Sequence, residues 1–316
     1  MKYRPKDTQS ESVTLTGIQH FCLNDGQGIR TVVFFKGCPL RCLWCGNPET
    51  YSEEPELCHA ASACIGTEVC GDCLVSCPHD AVYQLHSGAV GVDRDVCVRC
   101  GRCAELCPSR ALSICGQSYT LEAILDEIEI DERFIRRSGG VTLSGGEPFM
   151  HMRFAAQLLT ELRRRGIHAA VETCGFFDMD DEFAAQALHA ANVIYYDIKH
   201  ADPVRHKHGT GMENSRILQN LKRLGQEYPS LPIVTRTPVV PGFNDTPEVM
   251  LDIARIVSAI PSVEKHELIP YYPYGETKFV QLERPCLYSS RVRIGRDRLN
   301  YFATLFRGAG VPASII

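Results

Sequence analysis

The sequence predicts an α/β protein, an open or partial barrel of six β/α units interrupted after its first strand by a cysteine-rich insert. Three observations carry this. Strand-like and helix-like segments alternate, as a parallel sheet with right-handed crossovers requires. Polar motifs follow the strand-like segments at the same end each time. Thirteen of the sixteen cysteines in 316 residues lie between Cys38 and Cys115. At 44% hydrophobic and 22% charged the chain can bury a full core, which excludes disorder, collagen and a small disulfide-stapled scaffold.

Residues 31–36 (TVVFFK) are a continuous apolar run that suits a strand covered on both faces. Beyond the cysteine block, Leu121, Ile124, Leu125 and Ile128 recur at helical spacing, with Thr120 as N-cap. Residues 141–144 then read as a short strand running into SGGEP. Ala155, Leu158, Leu159 and Leu162 repeat the helical stripe, and Gly166 can end it in a left-handed conformation. Further strands are expected over residues 168–172, 193–197, 233–237 and 264–269, and Thr246 followed by Pro247 marks a helix start. The motifs GCPLRC, SGGEP, ETCG, DIKH and TPVVPG fall at the C-terminal ends of these strands, where barrels build active sites. Residues 51–116 are too long for an ordinary connection and imply a small domain of their own.

The first residues, MKYRPKDTQSESV, have no apolar h-region, and nowhere do 18 uncharged apolar residues run together. A cytoplasmic protein with no membrane partner is expected, and in a reducing compartment a dense cysteine block argues for metal or cluster ligation over disulfides. Net charge is −5 with Lys and Arg scattered, so nucleic acid is not an expected partner.

Within the insert, Cys97, Cys100, Cys103 and Cys107 before Pro108 follow C-x2-C-x2-C-x3-C-P, and Cys64, Cys70, Cys73 and Cys77 before Pro78 repeat it with the first gap widened. This is the bacterial two-cluster ferredoxin spacing, in which each fourth cysteine crosses to the other cluster. One [4Fe-4S] cluster is therefore assigned to Cys64, Cys70, Cys73 and Cys107, and a second to Cys97, Cys100, Cys103 and Cys77. A pair of zinc sites is the bland alternative for such sulfur sets. Cys58 competes with Cys64 as first ligand; Cys115, Cys22, Cys174 and Cys286 read as small core hydrophobes. Cys38, Cys42 and Cys45 (CPLRCLWC) differ in kind, because no fourth cysteine belongs to them. Three thiolates on a four-iron cluster leave one iron open, which is where a substrate or cofactor binds.

CxxxCxxC after the first strand and GGEP after the second resemble the radical S-adenosylmethionine (SAM) superfamily. NDGQGIRTVVFFKGCPLRCLWCGNPET, VTLSGGEP, VETCG, YDIKH, TPVVPGFND and VEKHELIPYYPYG resemble its activating enzymes of glycyl radical enzymes, in the subgroup with a ferredoxin-like insert. The activators of pyruvate formate-lyase and anaerobic ribonucleotide reductase lack that insert. The resemblance implies a partial (β/α)6 radical SAM barrel with an inserted two-cluster ferredoxin-like domain: residues 1–50 carry the first strand and cluster loop, 51–116 the insert, and 117–316 the remaining barrel. It implies that SAM chelates the open iron held by Cys38, Cys42 and Cys45, and that its reductive cleavage gives a 5′-deoxyadenosyl radical. That radical takes a hydrogen atom from a glycine of a partner protein.

By the same resemblance Gly145, Gly146 and Glu147 hold the SAM amino group, and Glu172, Thr173, Asp197, Lys199 and His200 flank SAM and a monovalent cation. Trp44 and Tyr272 stand near the adenine, Arg236 contacts SAM or the substrate loop, and Asp25, Gly26, Gly28 and Arg30 lie where the partner's glycyl loop binds. A flavodoxin or ferredoxin-type reductant and a monomeric state are expected. Two other classes compete: a radical SAM enzyme acting on a small molecule or maturing peptide, and an electron-transfer ferredoxin fused to a structural barrel. DGQGIR and the placement of the insert speak against the first, and the unpaired trio against the second. Hydroxyphenylacetate decarboxylase, choline lyase, isethionate lyase, and glycerol or propanediol dehydratase stand as candidate partners.

Overall fold

A computed structural model describes residues 12–288 and 293–316; the polar start at residues 1–11 lies outside the described residues. Strands in chain order are β1 (Ser12–Cys22), β2 (Arg30–Phe35), β3 (Glu56–His59), β4 (Val82–Gln84), β5 (Val90–Val92), β6 (Leu112–Cys115), β7 (Gln117–Thr120), β8 (Gly140–Gly145), β9 (Ala169–Thr173), β10 (Val193–Asp197), β11 (Ile233–Val239), β12 (Val263–Pro270) and β13 (Ala313–Ile315). Nine of them form one sheet in the order β13-β12-β11-β10-β9-β8-β2-β1-β7. The six expected strands are its centre and run parallel. The count of six falls short at both edges: β13 adds a seventh parallel strand, and β1 and β7 are antiparallel additions.

The crossover helices cover one face of this sheet because their apolar residues recur every three to four positions. In Met152–Arg164, Ala155, Leu158, Leu159 and Leu162 are fully buried against Val141, Leu143 and Val171. Thr120 and Thr246 cap the helices Leu121–Ile130 and Pro247–Ser258 by accepting from the backbone amides of Ala123 and Val249. Gly166 takes a positive φ of 69° and donates to Arg163 O, closing the helix before β9.

The other face carries polar side chains that alternate with the buried ones. Arg30, Thr142, Glu172, Tyr195, Asp197, Arg236 and Glu267 project from it. Leu23 and Gln27, near one edge, line a single cavity of about 420 Å³ together with Glu264 and Ile316 from the other. Residues from opposite edges can meet only if the sheet curls around this face. Among the described residues no helix is long and apolar enough to cross a membrane.

Residues 51–116 contain two antiparallel pairs, β3 with β6 and β4 with β5, and an apolar cluster of their own built on Leu57, Val82, Val90, Val92 and Leu112. Charged side chains join this unit to the main sheet. Lys36, fully buried, donates to Ser52 O at 3.0 Å and pairs with Glu56 at 2.9 Å. Arg94 pairs with Glu283 at 3.1 Å and Arg284 with Glu56 at 2.5 Å. Tyr51 donates to Cys42 O at 2.7 Å, and its ring lies near the guanidinium groups of Arg41 and Arg284.

Candidate functional site

β2 ends in a loop that carries Cys38, Cys42 and Cys45 over the C-terminal rim of the sheet. The loop is sewn down by backbone bonds from Arg41 and Leu43 to Thr210 O and Gly209 O, and Cys45 Sγ accepts from the Asn47 amide at 3.3 Å. Cys42 is buried and Cys45 half-buried, and loss of solvent raises both thiols, Cys45 to about 11. Such thiols are protonated at neutral pH unless a cation or metal replaces the proton.

Cys174, distant in sequence, also stands here. Its side chain hydrogen-bonds Cys38 and holds that thiol below the usual thiol range. It also hydrogen-bonds Glu147, and it shares one buried apolar cluster with Cys42. Reading Cys174 as a core hydrophobe misses this contact. Its ETCG motif sits at the end of β9, and that is the one signal in the chain that could have found it.

The GG pair acts on the protein's own backbone. A Cβ at Gly146 would lie 2.0 Å from Gly37 O, and one at Gly145, where φ is 101°, 2.5 Å from Phe35 O. The amides of Gly146 and Glu147 donate to Phe35 O and Gly37 O at 2.8 Å each, locking the SGGEP turn to the strand that leads into Cys38. Glu147 is fully buried. Its carboxylate accepts from Cys174 N at 2.7 Å, Thr173 Oγ1 at 2.8 Å and Phe149 N at 3.1 Å. Burial raises its carboxyl, and these donors oppose the shift.

Glu172 and Thr173 part company, since neighbours on a strand face opposite ways. Thr173 serves Glu147, while Glu172 lies on the curled face, where it accepts from Ser144 Oγ at 2.5 Å and pairs with Arg236. Arg236 also pairs with Glu267 at 2.8 Å and lies 3.7 Å above the Tyr195 ring. Burial would lower its pKa, but the two carboxylates outweigh it. Asp197 and Lys199 pair on the next layer; burial of Lys199 is likewise outweighed by Asp197 and Cys42. A cation beside these carboxylates would have to share Asp197 with Lys199 and Glu172 with Arg236.

His200 is buried, accepts from Asp202 N at 2.9 Å and packs against Phe243, with its pKa lowered by burial. Phe243 in turn lies 4.4 Å from Trp44, so Trp44 is packed in the aromatic layer under the loop. Tyr272 is about half exposed and stacks on Tyr274 at 5.5 Å. Asn244 and Asn214 escaped the sequence reading. Asn244 accepts from Val240 N and donates to Lys199 O and Pro238 O, all at 2.8 Å, and Asn214 donates to His200 O at 2.8 Å. They pin the DIKH segment from both sides.

The DGQGIR loop closes the curled face at its other end. Gly28 has φ 75°, and a Cβ there would lie 1.3 Å from Ser138 O. Arg30 is fully buried and donates to Thr142 Oγ1 at 2.5 Å. Thr142 Oγ1 donates onward to Asp25 O at 2.7 Å. Gly28 and Arg30 thus anchor the loop, Gly26 lines the cavity, and the Asp25 carboxyl is pushed up to about 6 by burial and by Glu172.

In the insert, Cys64, Cys70, Cys73 and Cys107 line one small cavity, and Cys77, Cys97, Cys100 and Cys103 line another. Cys58 belongs to neither and hydrogen-bonds Cys115. Among the described residues no three Cys, His, Asp or Glu side chains converge on a point that would hold a single metal ion.

The Radical SAM superfamily model matches residues 93–254, a stretch that starts inside the insert and leaves the Cys38 loop before it. The chain is 43% identical over 281 residues to an isethionate sulfite-lyase activating enzyme of Oleidesulfovibrio alaskensis, covering 88% of this chain and 89% of that one. It is 41% identical over 268 residues to a (2S)-3-sulfopropanediol sulfolyase activating enzyme of Bilophila wadsworthia, covering 84% and 87%. It is 31% identical over 291 residues to a 4-hydroxyphenylacetate decarboxylase activating enzyme of Clostridium scatologenes, covering 92% of each.

Proposed function

The chain belongs to the radical SAM superfamily and, within it, to the activating enzymes of glycyl radical enzymes, and on that premise we propose how its own residues install a glycyl radical on a separate enzyme. SAM is cleaved reductively, and the 5′-deoxyadenosyl radical abstracts a hydrogen atom from a glycine of the partner. The observation that carries the site assignment is the convergence of the Cys38, Cys42 and Cys45 loop with the SGGEP turn and the Asp197–Lys199 pair on one rim. The donor set fits a thiolate-ligated cluster: three cysteines on one loop, with Cys174 hydrogen-bonded to Cys38 and Glu147. A [4Fe-4S] cluster there supplies a low-potential electron and an open iron position.

Around it, the chain's side chains bind and orient. Tyr272, about half exposed, offers aromatic surface for the adenine, while Trp44, expected near the adenine, is packed on Phe243 beneath the cysteine loop. The Gly145–Gly146 turn and Glu147 fix the loop beside the SAM amino acid moiety. Arg236, compensated by Glu172 and Glu267, stands with Gln27 where a polypeptide entering the cavity would meet polar groups, and Asp25 lies beside Gly26 in the loop that borders it. The two four-cysteine sets of the insert suit a ferredoxin-like pair of [4Fe-4S] clusters that relay electrons from a flavodoxin or ferredoxin-type donor. Identity falls from 43% and 41% for the two sulfonate lyase activators to 31% for the decarboxylase activator, which favours a carbon–sulfur lyase as partner.

Anaerobically reconstituted protein should hold about 12 irons. Cys42→Ala should hold about eight and make no 5′-deoxyadenosine, whereas retention of SAM cleavage by Cys42→Ala would overturn the assignment. EPR after mixing with isethionate sulfite-lyase tests the partner class: a glycyl radical on that lyase is the expected result.

A further inference from the structure

β1 does not end cleanly. Its register against β2 shifts between Gln19 and Cys22, and within that bulge Phe21 adopts φ 57°. A bulky aromatic residue is rarely found in the left-handed region, and bulges re-aim side chains beside functional sites. Here the bulge sends Phe21 into solvent, 51% exposed, with Leu23 at 70% two residues on. Phe21 meets Phe134, 48% exposed, edge to face at 5.2 Å. Phe134 lies on the helix Glu132–Ser138, whose Arg133 and Arg137 are also exposed.

A strained backbone that exposes apolar side chains is costly in a monomer and becomes favourable when a partner covers them. Exposed aromatic residues with arginines on the same helix match the composition of interface centres. The position says which partner. Leu23 is both part of this patch and part of the lining of the 420 Å³ cavity, which runs inward past Gly26 and Gln27 to Tyr195, Arg236 and Glu267. A polypeptide that delivers a glycine into the curled face through this opening passes Leu23, two residues along the chain from Phe21.

We infer that Phe21, Leu23 and Phe134, with Arg133 and Arg137, form the surface on which the glycyl radical enzyme docks, through an apolar segment of that enzyme bordered by acidic side chains. This rests on the partner reading above. None of these residues touches the SAM machinery. The surface therefore acts on encounter and affinity for the whole partner and leaves the chemistry at the rim alone.

The test uses the full reconstituted chain, isethionate sulfite-lyase, and a short synthetic peptide spanning that lyase's radical-bearing glycine. Phe21→Ser with Phe134→Ser should lower kcat/KM for radical formation on the lyase by about tenfold or more, through KM. Uncoupled SAM cleavage and hydrogen abstraction from the peptide should stay at wild-type levels. Arg133→Glu with Arg137→Glu should cut the association rate and flatten its salt dependence. Unchanged activation of the lyase by both double variants would overturn the surface. So would a concentration-dependent dimer that the wild type forms and Phe21→Ser with Phe134→Ser abolishes, because a second copy would then be what covers the patch. Wild-type protein that cleaves SAM but radicalises neither lyase nor peptide would overturn the partner reading, and the surface with it.

Discussion

Replacing Asn244 isolates the clamp behind Lys199. The side chain is fully buried and makes three bonds of 2.8 Å, so Asn244→Ala strands the Val240 amide and the carbonyls of Lys199 and Pro238. Each buried backbone group left without a partner costs about 1–3 kcal/mol. With partial relaxation the loss comes to about 3–5 kcal/mol, a large part of the roughly 5–15 kcal/mol that holds a native protein together. For a chain of this size that is a fall in melting temperature of roughly 5–15 °C. Because one of the lost bonds holds the Lys199 carbonyl, KM for SAM should rise as well. Asn244→Asp keeps an acceptor for Val240 but sets a carboxylate against two carbonyls, so at neutral pH it should be no better than Ala. Anaerobic differential scanning fluorimetry beside SAM-cleavage kinetics reads both effects. A shift under about 2 °C with unchanged KM would refute the claim that Asn244 positions the DIKH segment.

Cys174→Ser should leave all of the roughly 12 irons and measurable SAM cleavage, because Cys174 contacts Cys38 without belonging to the ligand set; loss of about four irons would make it a ligand. Cys64→Ala should drop the count by about four while Cys58→Ser leaves it intact, and iron and sulfide analysis distinguishes the two cysteines. Asp25, pushed up to about 6, gives stability that is full below its unfolded value near 4 and is lost as pH rises through about 6. Asp25→Asn should therefore gain on the wild type in melting temperature as pH rises from about 4 to about 7; a constant difference over that interval would show that Asp25 ionises normally.

The parallel strands were legible because continuous apolar runs bounded by turn motifs have few other solutions: β10 spans the expected residues, and β2 and β8 differ only at their ends. Thr120 and Thr246 could be read as caps because a capping side chain acts within three residues of itself. β1 was not legible. It is half exposed, contains Gly17, and is broken by the bulge before Cys22, so neither an apolar run nor a clean alternation marks it. β7 and β13 are three or four residues long at sheet edges, where neighbours supply what the local sequence does not. The rim motifs were legible as linear patterns, but their pairings were not. Arg236 meets Glu267 because β11 and β12 align those two residues, and Cys174 meets Cys38 across two strands. Such contacts depend on register, and register is a property of the assembled sheet.

Lys36 sets a limit on cutting this protein apart. A deletion that joined the cluster loop directly to β7 would remove Glu56 and the Ser52 carbonyl, leaving an ammonium enclosed at the root of the Cys38 loop with most of its partners gone. Breaking a buried pair in this way typically costs about 3–5 kcal/mol. The excised form would fail first at the loop of Cys38, Cys42 and Cys45, even though none of them lies in the deleted segment. Trimming the insert while keeping the rest of the chain would thus call for an apolar side chain of similar length at position 36, so that methionine there is a precondition for a minimal version of the enzyme.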